Sequence, residues 1–286
     1  MIEPVVPWTW WTQRDDHDHD GDGDGDGVVV VADVRSYLDG RSGRAAYDAG
    51  HVPGAVFVDL EEVLSGPASP ESGRHPLPAP ADFAEAMSGL GIGDRDTVLA
   101  YDDAGGVMAG RLVWMLRVLG VEAALLDGGL PAYGGPLEQV APARPRAAFA
   151  AAPWPADRLA GLADATDPAN VVLDARDGER YRGEVEPVDP QAGHVPGARS
   201  VPCRENLDGS GHLLPPEQLR QRFARAGVRD GTPVVAYCGS GVTACHDLLA
   251  LEVAGFAPGR LYAGSWSQYS STPGLPVAVG HEDDPR

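Results

Sequence analysis

The sequence predicts an α/β protein of two tandem domains, each with a mainly parallel sheet that has helices on both faces. One observation is a repeat, because the heptapeptide AGHVPGA occurs at residues 49–55 and again, unchanged, at residues 192–198. A second is that short apolar runs alternate with amphipathic segments, which is typical of βαβ units. A third is length, since 286 residues suit two domains of ordinary size better than one.

The elements follow in the same order in both halves, so each has a counterpart. An apolar run ending in an acidic residue comes first, the heptapeptide leads into a second run, and two more runs are separated by helical patterns. We expect strands at 28–32, 55–58, 97–101 and 123–126 with helices at 81–90 and 107–119, and strands at 171–174, 198–201, 233–237 and 260–262 with helices at 216–226 and 242–254.

The segment 134–157 separates the two halves. It is rich in Pro and Ala and has no sustained helical or strand period, so it is interpreted as a linker. Placing the boundary near its middle gives domains at 1–145 and 146–286.

Charge and composition exclude several classes of function. The formal net charge is −20 and no block of Lys and Arg occurs, so the field of the protein would repel nucleic acid and anionic lipid. No apolar run is long enough to span a bilayer, and the N-terminal MIEPVVPWTW lacks the features of a signal peptide, which predicts a cytoplasmic location. We therefore expect neither nucleic acid nor membrane as a partner.

The acidic segment DDHDHDGDGDGDG, at residues 15–27, stands outside the repeat. Its composition does not favour a packed element, so we interpret it as a solvated loop. Its carboxylates, with His17 and His19, could be imagined around calcium or zinc, but the ligand spacing of an EF-hand loop is missing. Metal binding is the weaker hypothesis here, and no metal or cofactor is predicted for the chain.

The cysteines point to reactivity rather than to cross-linking. The chain has only Cys203, Cys238 and Cys245, too few and too odd in number for a disulfide framework. Cys203 and Cys245 are best interpreted as buried inert thiols. Cys238 differs, because it directly follows an apolar run predicted to be a strand.

The loop after Cys238 predicts a cradle for an anion. Ligands collect at the carboxyl ends of parallel strands, and the glycines within 239–241 allow several N–H groups to face one centre. A helix beginning near Val242 adds its positive end, so we expect a thiol pKa below its ordinary value. Phosphatases place an arginine six residues after such a cysteine, whereas Ala244 occupies that position here. The loop therefore suits a single additional sulfur atom.

The motif CGSGVTACH, at 238–246, resembles the active-site loop of the two-domain rhodanese family. The form is that of the 3-mercaptopyruvate sulfurtransferases rather than that of the thiosulfate enzymes, whose loop carries Arg and Lys. The paired GHVPGA motifs, DGG at 127–129 and GSW at 264–266 extend the resemblance over nearly the whole chain.

The resemblance implies covalent, two-step catalysis without a cofactor. Cys238 would take sulfur from an anionic donor such as 3-mercaptopyruvate as a persulfide, and a thiol, thioredoxin or cyanide would remove it. The Ser240 hydroxyl could relay a proton. The amides expected to hold the persulfide are those of Gly239, Ser240, Gly241, Val242 and Thr243.

The resemblance also implies where the donor binds. Arg180 matches the family arginine that binds the donor anion, although a surface ion pair with Glu179 or Glu184 is the alternative. A second family arginine would stand at position 189, which is Asp189 here, and Arg182 could compensate.

Two residues of the first half also match family positions. Asp102 takes the place of the cysteine there, so the first half is expected to be catalytically silent. His51 matches a residue near the site, although His51 and its counterpart His194 could equally brace their own turns. Two functions remain as alternatives: a thiosulfate:cyanide sulfurtransferase, and a persulfide carrier that delivers sulfur to another protein.

Overall fold

The computed structural model describes residues 1–13 and 27–281, so the segment 15–27 lies outside the described residues except for Gly27. The chain forms two compact units. The N-terminal unit contains Met1–Ser65, Pro78–Trp154 and Gly209–Leu213, and the C-terminal unit contains Gly66–Leu77, Pro155–Asp208 and Leu214–Arg286. A short segment of the first half, Gly66–Leu77, thus belongs to the C-terminal unit.

The N-terminal unit is built on a five-stranded sheet in which every pairing is parallel. The strand order is β1-β5-β4-β2-β3, and the central strands β2 and β4 are buried along most of their length. The strands are β1 (Val5–Val6), β2 (Val29–Asp33), β3 (Val56–Phe57), β4 (Thr97–Tyr101) and β5 (Glu122–Leu126), and the helices are α1 (Trp8–Thr12), α2 (Gly43–Ala49), α3 (Pro80–Gly89) and α4 (Gly110–Val118).

The C-terminal unit repeats this arrangement in the order β6-β10-β9-β7-β8, again with parallel pairings. The strands are β6 (Leu159–Ala160), β7 (Val171–Asp174), β8 (Arg199–Ser200), β9 (Val234–Tyr237) and β10 (Arg260–Tyr262), and the helices are α5 (Leu162–Ala165), α6 (Gly178–Tyr181), α7 (Pro216–Arg225), α8 (Ala244–Val253) and α9 (Ser265–Tyr269). The α/β class and the internal repeat are confirmed.

Each strand and longer helix predicted from the sequence is present, with ends that differ by a few residues. The sequence analysis missed the edge strands β1 and β6, which are two residues long. It also missed the helices α1, α2, α5, α6 and α9, which have four to seven residues. The missed elements are too short to show a period of their own, whereas the equally short β3 and β8 were predicted from the apolar runs that follow the repeated heptapeptide.

The repeated heptapeptide is explained by its contacts with the central strands. In the C-terminal unit the Tyr237 hydroxyl, at the end of β9, accepts a hydrogen bond from the Val195 N–H at 3.2 Å. Arg176 donates to the Gly193 carbonyl at 2.7 Å and to Asp174, which ends β7, at 2.6 Å. The N-terminal unit contains the same bonds between Tyr101 and Val52, Arg35 and Gly50, and Arg35 and Asp33.

No described helix combines the length and the apolar character that crossing a lipid bilayer requires.

Candidate active site

Cys238 directly follows β9, and two main-chain hydrogen bonds from α9 hold the start of its loop. The Cys238 carbonyl accepts a hydrogen bond from the Trp266 N–H at 2.9 Å, and the Gly239 carbonyl accepts one from the Ser267 N–H at 2.8 Å. Both donors belong to α9. Because these bonds fix the two carbonyls, they also fix the peptide planes of the loop. The Cys238 side chain is buried, with 2% exposed.

The loop directs an N–H group at the sulfur. The Gly241 N–H donates to Cys238 Sγ at a distance of 3.1 Å. Gly241 has φ +78°, and a Cβ at this position would lie 2.6 Å from the Ala263 carbonyl oxygen. A side chain at 241 would therefore be strained and would also collide with backbone. The sequence-based expectation that glycine lets this loop curl is confirmed at this position.

Ser265 is a site residue that the sequence analysis missed. Its Oγ accepts a hydrogen bond from the Cys238 N–H at 3.2 Å and donates to the Tyr262 carbonyl at 2.8 Å. Among the described residues other than glycine, it alone has a positive φ, +52°. This conformation costs free energy, and such strain is often found at functional sites. The GSW motif was the only signal for it.

His75 is a second missed residue, and it comes from the segment Gly66–Leu77. Its Nδ1 lies 2.7 Å from Ser240 Oγ in a hydrogen bond between two buried side chains. The segment is docked tightly, because the Arg74 N–H donates to Ser267 Oγ and a Cβ on Gly73 would lie 2.5 Å from the Gly264 carbonyl oxygen. A histidine paired with a hydroxyl beside a thiol can exchange protons with a reacting group.

Arg180 lies beside the loop, but its ion-pair partners differ from those considered in the sequence analysis. Neither Glu179 nor Glu184 holds its guanidinium. Instead, Arg180 Nη2 lies 2.6 Å from Glu186 Oε1 and 3.2 Å from Asp189 Oδ2, and both carboxylates are almost fully buried.

Burial alone would raise the pKa of Glu186, but the hydrogen bonds from Arg180 and from the Val188 and Asp189 amides outweigh it and lower that pKa. Glu186 is therefore a fixed negative charge beneath Arg180. Arg182, in contrast, pairs with the exposed Glu184 at 2.7 Å.

The N-terminal unit shows what its copy of the loop does with a carboxylate. Asp102 follows β4, as Cys238 follows β9, and it is fully buried. Its two oxygens accept four backbone N–H bonds at 2.7–2.9 Å, from Ala104, Gly106, Met108 and Ala109. Burial nevertheless raises the pKa of Asp102. A loop of this kind can therefore direct several amides at one acidic side chain.

The other residues marked by the sequence form local contacts. His194 Nδ1 lies 2.7 Å from the Tyr181 carbonyl oxygen and its ring stacks on Tyr181. His51 repeats both contacts with Tyr47, which are the contacts of a histidine that braces its own turn.

Cys203 and Cys245 are buried, and burial raises the pKa of Cys203. Within 1–13 and 27–281, no group of three or more His, Cys, Asp or Glu side chains is arranged to hold a metal ion.

A thiol at the end of a parallel strand, in a loop that directs the Gly241 N–H at it, is the arrangement expected of an α/β enzyme with a cysteine nucleophile. The pattern of the Rhodanese-like domain matches residues 20–135 and 156–272. The chain therefore belongs to the rhodanese-like family, with two copies of its domain.

Known proteins of similar sequence and structure are named as sulfurtransferases, and this chain is a sulfurtransferase as well. A Pseudomonas aeruginosa protein named "Probable 3-mercaptopyruvate sulfurtransferase" is 44% identical over 265 residues, which cover 88% of this chain and 93% of that protein. Arabidopsis thaliana "Thiosulfate/3-mercaptopyruvate sulfurtransferase 1, mitochondrial" is 32% identical, with 81% of this chain and 68% of that protein covered. The crystal structure of the 3-mercaptopyruvate sulfurtransferase SseA from Escherichia coli matches with a TM-score of 0.78 and 33% identity, covering 93% of this chain and all of that one.

Proposed function

We propose that this chain moves a sulfur atom from 3-mercaptopyruvate to a thiol acceptor through a persulfide on Cys238. The observation that carries the proposal is the position of Cys238 Sγ at the end of β9, where the Gly241 N–H points at it. An N–H donor in a buried site stabilises negative charge on sulfur, both on the thiolate that attacks and on the persulfide that forms.

The first half-reaction balances with the donor's own proton. The Cys238 thiolate attacks the sulfur of 3-mercaptopyruvate, a new S–S bond forms, and the donor C–S bond breaks. Its electron pair remains on the departing carbon, which takes up the proton that the donor thiol loses, so the products are pyruvate and the Cys238 persulfide. The Ser240 hydroxyl, hydrogen-bonded to His75, is placed to carry that proton.

The second half-reaction returns the enzyme to its starting state. An acceptor thiolate attacks the outer sulfur of the persulfide, the S–S bond to Cys238 breaks, and the thiolate is restored. A small thiol or a thioredoxin-like protein in the cytoplasm fits this chemistry. We propose that Arg180 binds the donor anion. The first half, residues 1–145, forms no persulfide of its own, because Asp102 stands where the second half, 146–286, has its thiol; it contributes the side chain of His75 to the site.

Intact-mass spectrometry tests this assignment directly. After mixing with 3-mercaptopyruvate, the protein should gain about 32 Da, the mass of one sulfur, and peptide mapping should place the gain on Cys238. Cys238→Ser should lose both the gain and the turnover, while Cys245→Ser, a change at another buried thiol, should retain both. Turnover by Cys238→Ser, or a mass gain that maps to another residue, would refute the site.

Steady-state kinetics with thiosulfate and with 3-mercaptopyruvate identify the preferred donor. The Arabidopsis relative's name includes thiosulfate, which makes a thiosulfate sulfurtransferase the second candidate. A kcat/KM for thiosulfate well above that for 3-mercaptopyruvate would overturn the assignment of the donor. A persulfide that forms on Cys238 without turnover of either donor would favour a carrier that delivers sulfur to another protein.

A further inference from the structure

Two guanidinium groups flank the residue that follows the nucleophile. A Cβ built on Gly239 would lie 3.3 Å from Arg74 Nη2 and 3.5 Å from Arg180 Nη1. Arg180 comes from α6, whereas Arg74 comes from the segment Gly66–Leu77, more than 100 residues earlier in the chain. Both cations therefore converge next to Cys238 although the loop itself contains no cationic side chain.

One buried carboxylate holds the two arginines together. Asp189 Oδ1 lies 2.6 Å from Arg74 Nη1, and Asp189 Oδ2 lies 3.2 Å from Arg180 Nη2. Only 2% of the Asp189 side chain is exposed, so water and salt screen these bonds less than they screen a pair on the surface. Asp189 thus orders both side chains, and part of the conformational entropy that binding would otherwise remove is lost already on folding.

The ordered guanidinium groups keep donors on the side of the loop. Arg74 uses Nη1 for Asp189, and its Nη2 is the atom nearest Gly239. Arg180 uses Nε and Nη2 for its two carboxylates, and its Nη1 is the atom nearest Gly239. Two planar guanidinium groups whose unused nitrogens lie near the same glycine match the two oxygens of a carboxylate.

A cavity lies against Arg74 and Asp189. It has a volume of about 370 Å³ and lies within the C-terminal unit, where Arg74, Asp189, Val188 and Ser267 contribute to its walls. Of the two arginines, Arg74 is the more accessible, with 31% of its side chain exposed against 14% for Arg180. The volume is ample for a three-carbon keto acid.

The charges around the two arginines argue for a donor with one negative charge at the binding group. Arg176 pairs with Asp174 and Glu186, Arg180 with Glu186 and Asp189, and Arg74 with Asp189. Three cations and three carboxylates cancel, so the site offers directed N–H donors without a surplus of positive charge. A carboxylate brings one uncompensated charge into such a site and a dianion brings two, so burial of the dianion costs more free energy.

We propose that Arg74, held by Asp189 beside Arg180, is the second arginine that binds the donor carboxylate, and that this pair selects a keto acid over a dianionic donor. The inference rests on the function proposed above. It assigns to Arg74 the role that the sequence analysis considered for Arg182, whose guanidinium pairs with Glu184 instead. Asp189 acts as a positioning residue for both arginines.

Kinetics of Arg74→Ala and Arg74→Lys with 3-mercaptopyruvate test this inference. Loss of a charge-assisted hydrogen bond should raise KM roughly tenfold or more in Arg74→Ala, with kcat changed less than threefold, because Cys238, Ser240 and His75 remain in place. The Ala variant keeps the backbone N–H that bonds Ser267, so the segment stays docked. Arg74→Lys, which restores the charge without the planar fork, should recover part of the affinity.

Product inhibition supplies a readout that is independent of sulfur chemistry. Pyruvate carries the carboxylate but no thiol, so its inhibition constant should rise in parallel with KM in Arg74→Ala. The matched control is Arg225→Ala, which removes an exposed arginine from α7 in the same unit. Thermal melts of all variants verify that they are folded.

The outcomes separate the two proposals. If the wild type forms no persulfide and turns over neither donor, the proposed function fails. If the wild type is active but Arg74→Ala matches Arg225→Ala in KM and in inhibition by pyruvate, the inference about Arg74 is wrong while the function stands. A rise in KM for Arg182→Ala equal to that for Arg74→Ala would also overturn it.

Discussion

Replacing Gly241 by alanine tests whether the geometry of the loop, and not only the thiol, produces catalysis. The new Cβ would lie 2.6 Å from the Ala263 carbonyl oxygen, whereas ordinary contacts begin at 3.4 Å. The loop or the β10–α9 turn must therefore move by roughly 0.8 Å, which is large compared with the tolerance of a preorganised site. A shift of that size would carry the Gly241 N–H away from Cys238 Sγ, where it now donates at 3.1 Å.

The expected effect of Gly241→Ala has two parts: a cost in stability that any glycine with positive φ would share, and a loss of catalytic rate specific to Gly241. An alanine at positive φ costs about 1–2 kcal/mol anywhere. Gly197 has φ +84° with no atom within 4 Å of a built Cβ, so Gly197→Ala carries that cost without a clash. Displacing a donor from a developing anion typically lowers the rate roughly 100- to 1000-fold. We expect a fall in kcat/KM of at least about tenfold for Gly241→Ala beyond that for Gly197→Ala.

The assay is steady-state turnover of 3-mercaptopyruvate, with thermal unfolding of both variants in parallel. For units of this size, the shared cost corresponds to a fall in Tm of roughly 2–8 °C. The reasoning is refuted if Gly241→Ala retains a kcat/KM within threefold of Gly197→Ala while both remain folded. In that case the N–H at 241 would not stabilise charge on the sulfur.

Two further predictions concern Ser265, which bonds the Cys238 N–H, and the buried Asp247 of α8. Ser265→Ala leaves the buried Cys238 N–H and Tyr262 carbonyl without their hydrogen-bond partner. The free energy of unfolding measured with urea should therefore fall by about 1–3 kcal/mol. A fall below about 0.5 kcal/mol, roughly the error of such measurements, contradicts the prediction. Burial raises the pKa of Asp247, on α8, to about 8, so the folded state binds that proton more tightly than the unfolded chain. The stability that the bound proton on Asp247 contributes is fully present below about pH 4 and is lost as the pH rises through about 8. Asp247→Asn, which keeps an oxygen for the Asn206 amide, should flatten that dependence in melts from pH 4 to pH 9; an unchanged slope is the contrary result.

Local sequence patterns were sufficient to predict most of the fold. The central strands are continuous apolar runs because both of their faces are covered, and a run of that kind is visible without coordinates. Cys238 could be placed at a strand end because the apolar run VVAY stops at it and glycine follows. Its neighbour Gly241 was predictable for the same reason, since glycine is the residue that adopts a positive φ without strain.

The contacts made by Arg180 show where patterns stop being informative. From the sequence, the expected ion-pair partner of Arg180 is a glutamate close to it in the chain, and Glu179 and Glu184 both meet that condition. The structure turns the side chain inward to Glu186 and Asp189 instead. Which carboxylate an arginine reaches depends on the path of the 183–190 loop, and no periodic signal describes that path.

The sequence by itself determined the repeat, the parallel α/β architecture and the thiol at the end of β9, because these follow from short-range rules of apolar periodicity and glycine conformation. Only the tertiary structure decided which side chains surround that thiol. His75 meets Ser240 from 165 residues away, and Arg74 meets Asp189 from 115. These contacts form because the segment Gly66–Leu77 packs within the C-terminal unit through its buried residues Gly73 and His75. Packing between residues so far apart in the chain leaves no local sequence pattern.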